Sequence, residues 1–484
     1  MEFELAVEAD AVAHLSRLKS LTACREGRPR TQAVKIVWHD SPDRALLADG
    51  LTLAEQRGAW QLERLFPGAE TWLPAQPPPV IAGEPDLTEL PSPLAPLAAF
   101  EGRRTISVHH FAEMPVTLTV DKGTLRAVTA ERPVVRIGLS GDEQAVRAAA
   151  LLIAGAVPAS VPVAALAAEA IAMATGRPAK PRRQGAPVLP GTELAVPEAL
   201  AHIIGHLTDV ILSHARQFDQ PDGDVPHAVH QMRVAVRRAR SAVSIFRPAL
   251  QAGALDAVND GLKALGGSLG PARDWDVFAD ETVPEIRQAI PGDERLVRLE
   301  AASSRQRTAH RKDLAQYLGG PAFRLLGIEL AWFAAARGWH ALPEQSAEAE
   351  PLTLMQFADA VLQHRWRKLL SAGKRIEELD IPGLHGVRLR GKRLRYAAEM
   401  FSTLHDGKAA NRFIDRLSDL QQRLGVLNDG AVASHLLLEL GGAGGRHAYA
   451  TGVVVGFLAA RAERIRPRII KSFERFKGQH AYWA

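Results

Sequence analysis

The sequence predicts an α+β chain of two domains, an N-terminal antiparallel β sheet or barrel followed by an all-α domain. Three observations carry this reading. Up to about residue 140, apolar residues alternate in short runs between turn residues. From residue 198 onward they recur at helical spacing. Between the two lies a segment rich in proline and arginine. The 484 residues are 46% hydrophobic and 23% charged, which excludes a disordered or fibrous chain.

The first element alternates Phe3, Leu5 and Val7 with Glu2, Glu4 and Ala6, the period of a half-buried strand. Similar runs are Ala33–Trp38, Trp60–Phe66, Thr105–Phe111, Val116–Val120, Thr124–Thr129 and Val134–Leu139. Asp121-Lys122-Gly123 reads as a hairpin turn between two of them. Ser41-Pro42-Asp43 reads as the start of a short helix, with Ser41 as cap and Pro42 in its first turn, and Gly50 ends it. Residues 143–176 are alanine-rich and read as helical. Residues 177–197 hold Pro178, Pro181, Pro187, Pro190 and Pro197 among Arg177, Lys180, Arg182 and Arg183, and read as a linker. The domains are therefore placed at 1–176 and 198–484.

No apolar run approaches the ~18 residues of a membrane span. The longest, Ala148–Val157 and Val453–Ala460, fit buried helices. The acidic start Met1-Glu2-Phe3-Glu4 is unlike a signal peptide. Cys24 is the single cysteine, which excludes an internal disulfide and leaves a reducing cytoplasm as the expected location.

The net charge of +5 divides unevenly. Residues 1–176 carry 16 Lys and Arg against 21 Asp and Glu, whereas residues 198–484 carry 39 against 32 and 13 of the 17 histidines. Within the helical part lies an internal repeat with an offset of 155. It pairs His230 with His385, Arg233 with Arg388, Arg237 with Lys392, Arg238 with Arg393, Arg240 with Arg395 and Phe246 with Phe401. The same offset pairs Leu269-Gly270 with Leu424-Gly425 and Asp274 with Asp429. Asp224 and Asp380, each two residues before a proline, read as helix caps. A duplication with a pseudo-two-fold axis is expected.

At 100° per residue, His230, Arg233, Arg237 and Arg240 fall within an arc of roughly 80°, as do His385, Arg388, Lys392 and Arg395. Arg238 and Arg393 lie to the side. Met232, Val236, Ala239, Val243 and Phe246 gather on the opposite face, with Val387, Leu394, Ala398 and Phe401 in the second copy. Stacked like charges cost an isolated helix ~0.2–0.5 kcal/mol per pair. A solvated basic surface is the plain reading of one such helix. Two copies without interleaved acids point to a linear polyanion, whose phosphoryl oxygens match guanidinium forks. Asp274 and Asp429, set in loop-like Leu-Gly contexts, read as caps or as partners of arginines, and a metal site is not expected there.

These motifs resemble the CHAD domain, the conserved histidine α-helical domain, over residues 198–484. The resemblance implies two four-helix bundles related by a pseudo-two-fold axis and a basic surface that binds inorganic polyphosphate, in proteins associated with polyphosphate granules. It implies His230, Arg233, Arg237, Arg238, Arg240, His385, Arg388, Lys392, Arg393 and Arg395 as ligand-holding residues. By spacing alone, Arg307 and Arg311 and the Arg365–Lys368 cluster extend the track.

The N-terminal part resembles a CYTH domain, an eight-stranded triphosphate tunnel, through Ser41–Leu46, Gly50–Leu53 and Val116–Gly123. Active members hold triphosphate with basic side chains and Mg²⁺ or Mn²⁺ with glutamates. This sequence keeps Glu2 and Glu4 but has Ala6 in place of the lysine. Ala54 and Gln56 stand in place of arginines, and Arg136-Ile137-Gly138 in place of a Glu-x-Glu strand. Arg57, Arg64, Arg103 and Arg104 are the cations left to compensate. The expectation is a degenerate tunnel without catalysis, requiring no cofactor and offering a surface to a protein partner. A triphosphatase using Mg²⁺ or Mn²⁺ is the first alternative. Nucleic-acid binding is the second, disfavoured by few stacking aromatics near the stripes.

Overall fold

The computed structural model describes all residues except 67–72, 79–80, 82–84, 178–182, 184, 251–252, 254, 337–351 and 484. The N-terminal part is an eight-stranded antiparallel sheet in the order β4-β3-β2-β5-β6-β7-β1-β8. Its strands are β1 (Glu2–Val7), β2 (Arg25–Asp40), β3 (Leu51–Gln56), β4 (Ala59–Arg64), β5 (Ala95–Phe111), β6 (Met114–Ala127), β7 (Glu131–Gly141) and β8 (Ala159–Ser160). The short helices α1 (Val12–Leu15), α2 (Lys19–Ala23) and α3 (Ala45–Ala48) sit in its loops, and α4 (Glu143–Ala156) and α5 (Leu166–Thr175) follow. The alternation in β1 holds: Phe3, Leu5 and Val7 are buried.

Two local readings change. The hairpin expected at Asp121-Lys122-Gly123 is absent, because β6 runs unbroken through it. Gly123 faces Gly102 across the ladder. A Cβ on either would lie 2.3–2.4 Å from a backbone oxygen of the opposite strand, so the glycines serve close backbone approach. Asp121 receives two 2.7 Å hydrogen bonds from Arg104. Helix α3 begins later than expected. Arg44 precedes it with a φ of 64°, and Pro42 falls in the preceding turn. Asp40 accepts hydrogen bonds from the amides of Leu46 and Leu47, and Ser41 from that of Ala45.

The C-terminal part is helical: α6 (Val196–Ala215), α7 (Val225–Phe246), α8 (Asp256–Val277), α9 (Val283–Ala289), α10 (Glu294–Gly319), α11 (Pro321–Ala335), α12 (Leu354–Ala372), α13 (Ile381–Phe401), α14 (Gly407–Glu439) and α15 (Ala448–Lys477). A shift of 155 residues carries α6, α7, α8 and α10 onto α12, α13, α14 and α15, so the duplication covers four helices per half. The side chains of Asp224 and Asp380 cap α7 and α13 by accepting from the amides of His227 and Gly383. Lys180 and Arg182 of the linker lie outside the described residues; Arg183 binds buried Asp209 at 2.5 Å.

Helix α11 has no counterpart at this shift and joins the two domains. Glu329 receives paired hydrogen bonds from Arg147 of α4, and the Trp332 indole donates to the Glu143 carbonyl at 2.8 Å. Among the described residues, no helix is long and apolar enough to cross a membrane.

Candidate functional site

The apolar faces of α7 and α13 are buried as their spacing requires: Met232, Val236, Val243 and Phe246 in one, Val387, Leu394 and Phe401 in the other. Phe246 and Phe401, equivalent in the repeat, meet at 6.1 Å between ring centroids, with Phe357 packed on both. Burying rings of this size stabilises the pair by ~1.5–3 kcal/mol each. Nearer the helix starts, Arg233 and Arg237 come within electrostatic reach of Arg388 and Lys392. Equivalent residues thus face each other along the pair, and the two stripes merge into one basic surface.

At its centre lies a cleft of about 180 Å³. Its cationic lining is His230, Arg233, Arg237, Arg273 and Arg388, with Asp274, Asn428 and Asp429 beside them. Arg233 Nη2 pairs with Asp274 at 3.2 Å, and Arg388 Nη1 donates to Asn428 Oδ1 at 3.0 Å. Asp274 and Asp429 lie inside α8 and α14 rather than in loops. The Leu-Gly pairs read as loops are helical too. Leu269 and Leu424 are core residues, and Gly270 leaves room for Arg233, whose Nη1 would lie 3.2 Å from an added Cβ.

The electrostatics follow from this crowding. Burial, then Arg388, Arg237, Arg233 and Arg395, lowers the Lys392 pKa to about 7. Burial and neighbouring arginines also lower Arg237 and Arg388. His230 is held below its ordinary value by burial, then by Arg273 and Arg237. Burial raises both Asp274 and Asp429 against the pull of nearby arginines. The cleft thus holds more positive charge than its own acids offset, and an anion relieves the imbalance.

Not every sequence candidate reaches this cleft. Arg238 and Arg395 converge on Glu399, at 2.9 and 3.1 Å. Arg240 and His385 are exposed. Arg307 is paired with Asp280, and Arg311 with buried Asp276 at 2.6 Å, so neither lines the cleft. Arg393 turns to the other flank of α13, where it joins Arg365 and Lys368. Arg273 was missed as a site residue although it stands in the repeated motif, at the position equivalent to Asn428.

In the sheet domain Arg136, Arg132 and Arg104 are held by carboxylates. Arg136, 5% exposed, lies 3.5 Å from Glu4 and 2.9 Å from Glu169. Glu169 also binds Arg132 at 2.7 Å. Burial raises the Glu169 pKa, but Arg136, Arg132 and Arg216 outweigh it and hold the carboxylate below its ordinary range. Arg104 is bound by Asp121, as described above. No group of three or more potential metal-ligating His, Cys, Asp or Glu side chains occurs among the described residues.

Comparison with known proteins agrees with the helical architecture. Uncharacterized proteins from two Mycobacterium tuberculosis strains are each 29% identical over 260 residues, 51% of this chain and 47% of theirs. The chain thus spans about half the length of these curated relatives. The crystal structure of the CHAD domain from the plant Ricinus communis superposes with a TM-score of 0.51 at 29% identity, covering 62% of this chain and 98% of that domain. The CHAD domain model matches residues 196–438, half of the chain and the helices that build the cleft. The chain belongs to the CHAD domain family.

Proposed function

We propose that the protein binds inorganic polyphosphate in the cleft lined by α7, α8, α13 and α14 and does not alter it chemically. The observation that carries this is the convergence of Arg233, Arg237, Arg388 and Lys392 from two repeated helices, close enough to depress one another's protonation. A linear chain of phosphoryl groups supplies negative charge at intervals along such a surface, with oxygens placed for guanidinium forks. Binding in this reading needs no cofactor. The sheet domain acts as a scaffold and as a surface for a protein partner: its buried Arg136 occupies, with Glu4 and Glu169, ground that an active tunnel would give to a metal. The site of action is the cytoplasm, at polyphosphate granules.

The test is titration of the full chain with long-chain polyphosphate and with single-stranded RNA of matched charge. Tighter binding of polyphosphate, weakening with salt, supports the reading. Tighter binding of RNA replaces it with nucleic-acid recognition.

A further inference from the structure

Helix α13 carries cations on two flanks. One flank builds the central cleft. On the other, between α12 and α13, Arg365, Lys368, Arg390 and Arg393 surround a second cleft of about 280 Å³, with Ser371 at its edge. The two clefts share no lining residue. At 100° per residue, Arg390 lies roughly 140–160° and Arg393 roughly 100–160° around α13 from Arg388, Lys392 and Arg395. The second cleft is therefore a separate site rather than a continuation of the first.

Its charge is unbalanced. No carboxylate of a described residue pairs with any of the four cations, although ion pairs are frequent elsewhere on this surface. The Arg365 guanidinium spends one donor on the Arg393 carbonyl, at 2.8 Å, which fixes it against α13 beside a second guanidinium. Burial and Arg393 together lower the Arg365 pKa to about 10, the response of a cation held where nothing neutralises it. The fixed fork, three further guanidinium or ammonium groups and a hydroxyl suit a tetrahedral oxyanion with several oxygens to share.

We propose that the α12–α13 cleft is a second phosphoryl-binding site that takes a short oligophosphate independently of the central cleft. Two sources share this chemistry: a free oligophosphate, or a far segment of a polyphosphate chain seated in the central cleft.

The test counts sites on the full chain by calorimetry, with tripolyphosphate as the probe. Lys368→Glu with Arg390→Glu reverses two exposed charges and leaves the buried faces intact. Arg365→Ala is the second variant, with circular dichroism reporting the fold of both. The wild-type chain is expected to bind two tripolyphosphates. Each variant should lose one or weaken it at least tenfold, while Arg237→Ala with Arg388→Ala loses the other. Two sites retained in both α12–α13 variants, or one wild-type site abolished by Arg237→Ala with Arg388→Ala, would overturn the proposal. Failure of the central reading alone would look different: one site, removed by the α12–α13 variants only. A long-chain polyphosphate arm separates the sources. A loss of affinity there in the Lys368→Glu, Arg390→Glu variant means that one chain reaches both sites; unchanged long-chain affinity means that the second site serves free oligophosphates.

Discussion

If the proposed function holds, Lys392, beside the central cleft, makes polyphosphate affinity pH-dependent. Its pKa falls from 10.5 to about 7, through burial first and then through four arginines. A bound polyanion removes the repulsion and returns the ammonium to its charged form. Below pH 7 the free cleft already carries this proton, and Lys392 adds no pH dependence. Above pH 7 the free side chain is neutral, so binding must take up a proton. Affinity then falls by up to about tenfold per pH unit until the bound-state pKa is reached. Lys392 adjoins the cleft through Arg388, Arg237 and Arg233, whereas His230, Asp274 and Asp429 line it. His230 is lowered and the carboxylates are raised from a low starting value, so their titrations fall on the acid side.

Stability of the free protein runs the other way. The folded pKa is below the unfolded one, so between pH 7 and about 10.5 the unfolded chain binds more protons and stability rises with pH. The shift of ~3.5 units corresponds to ~5 kcal/mol, and solvent screening at this partly exposed side chain reduces it to about 1–2 kcal/mol. Lys392→Met should therefore raise the urea midpoint at pH 6 by a corresponding amount and by roughly two fifths of that near pH 9. Calorimetry in two buffers of different ionisation enthalpy counts the protons taken up. The wild-type chain should lose roughly five- to tenfold in affinity between pH 7 and 8. The variant should bind less tightly at pH 7 and lose less than twofold over that interval. An equal slope in both proteins, or no proton uptake, would refute the argument.

The Gly270 and Gly425 pair gives a matched test. Gly270→Ala places a Cβ 3.2 Å from Arg233 Nη1 and should weaken polyphosphate binding several-fold, whereas Gly425→Ala meets nothing within 4 Å and should add about 0.5–1 kcal/mol of stability without changing affinity. Glu399→Gln releases Arg238 and Arg395 together; urea denaturation should show a loss of about 1–3 kcal/mol. The full chain should release no phosphate from inorganic triphosphate with Mg²⁺ or Mn²⁺ across pH 6–10, and metal-dependent turnover of a few per second would reinstate the sheet domain as an enzyme.

Much of this fold was legible because periodicity and repetition are local properties. The offset of 155 marks equivalent core faces and cations, and the Asp-x-Pro caps Asp224 and Asp380 repeat one residue out of step with it. What the sequence hid were relations across elements. Asp121-Lys122-Gly123 has the composition of a turn, but Gly123 answers to Gly102 on the next strand, and Asp121 to Arg104. Spacing put Arg307 and Arg311 on one helix face, yet it carried no information that Asp276 and Asp280 face them from the end of α8 and the π-helical segment Phe278–Thr282 after it. Arg365 and Lys368 read as an extension of the stripe because a helical wheel gives angles within one helix and says nothing of which neighbour packs on each flank. Leu-Gly read as a loop, whereas the interhelical space that Arg233 occupies is what favours Gly270 inside α8.

The central claim is that the merged stripes hold the ligand. Its most direct test replaces Arg233, Arg237, Arg388 and Lys392 together by Ala and measures long-chain polyphosphate binding to the full chain over a range of salt, with circular dichroism reporting the fold. These side chains project away from the buried face, so the variant should fold. Its affinity should fall at least a hundredfold, and the salt dependence of what remains should be shallower, as fewer phosphate contacts require. A folded variant that binds with wild-type affinity and salt slope would place the site elsewhere.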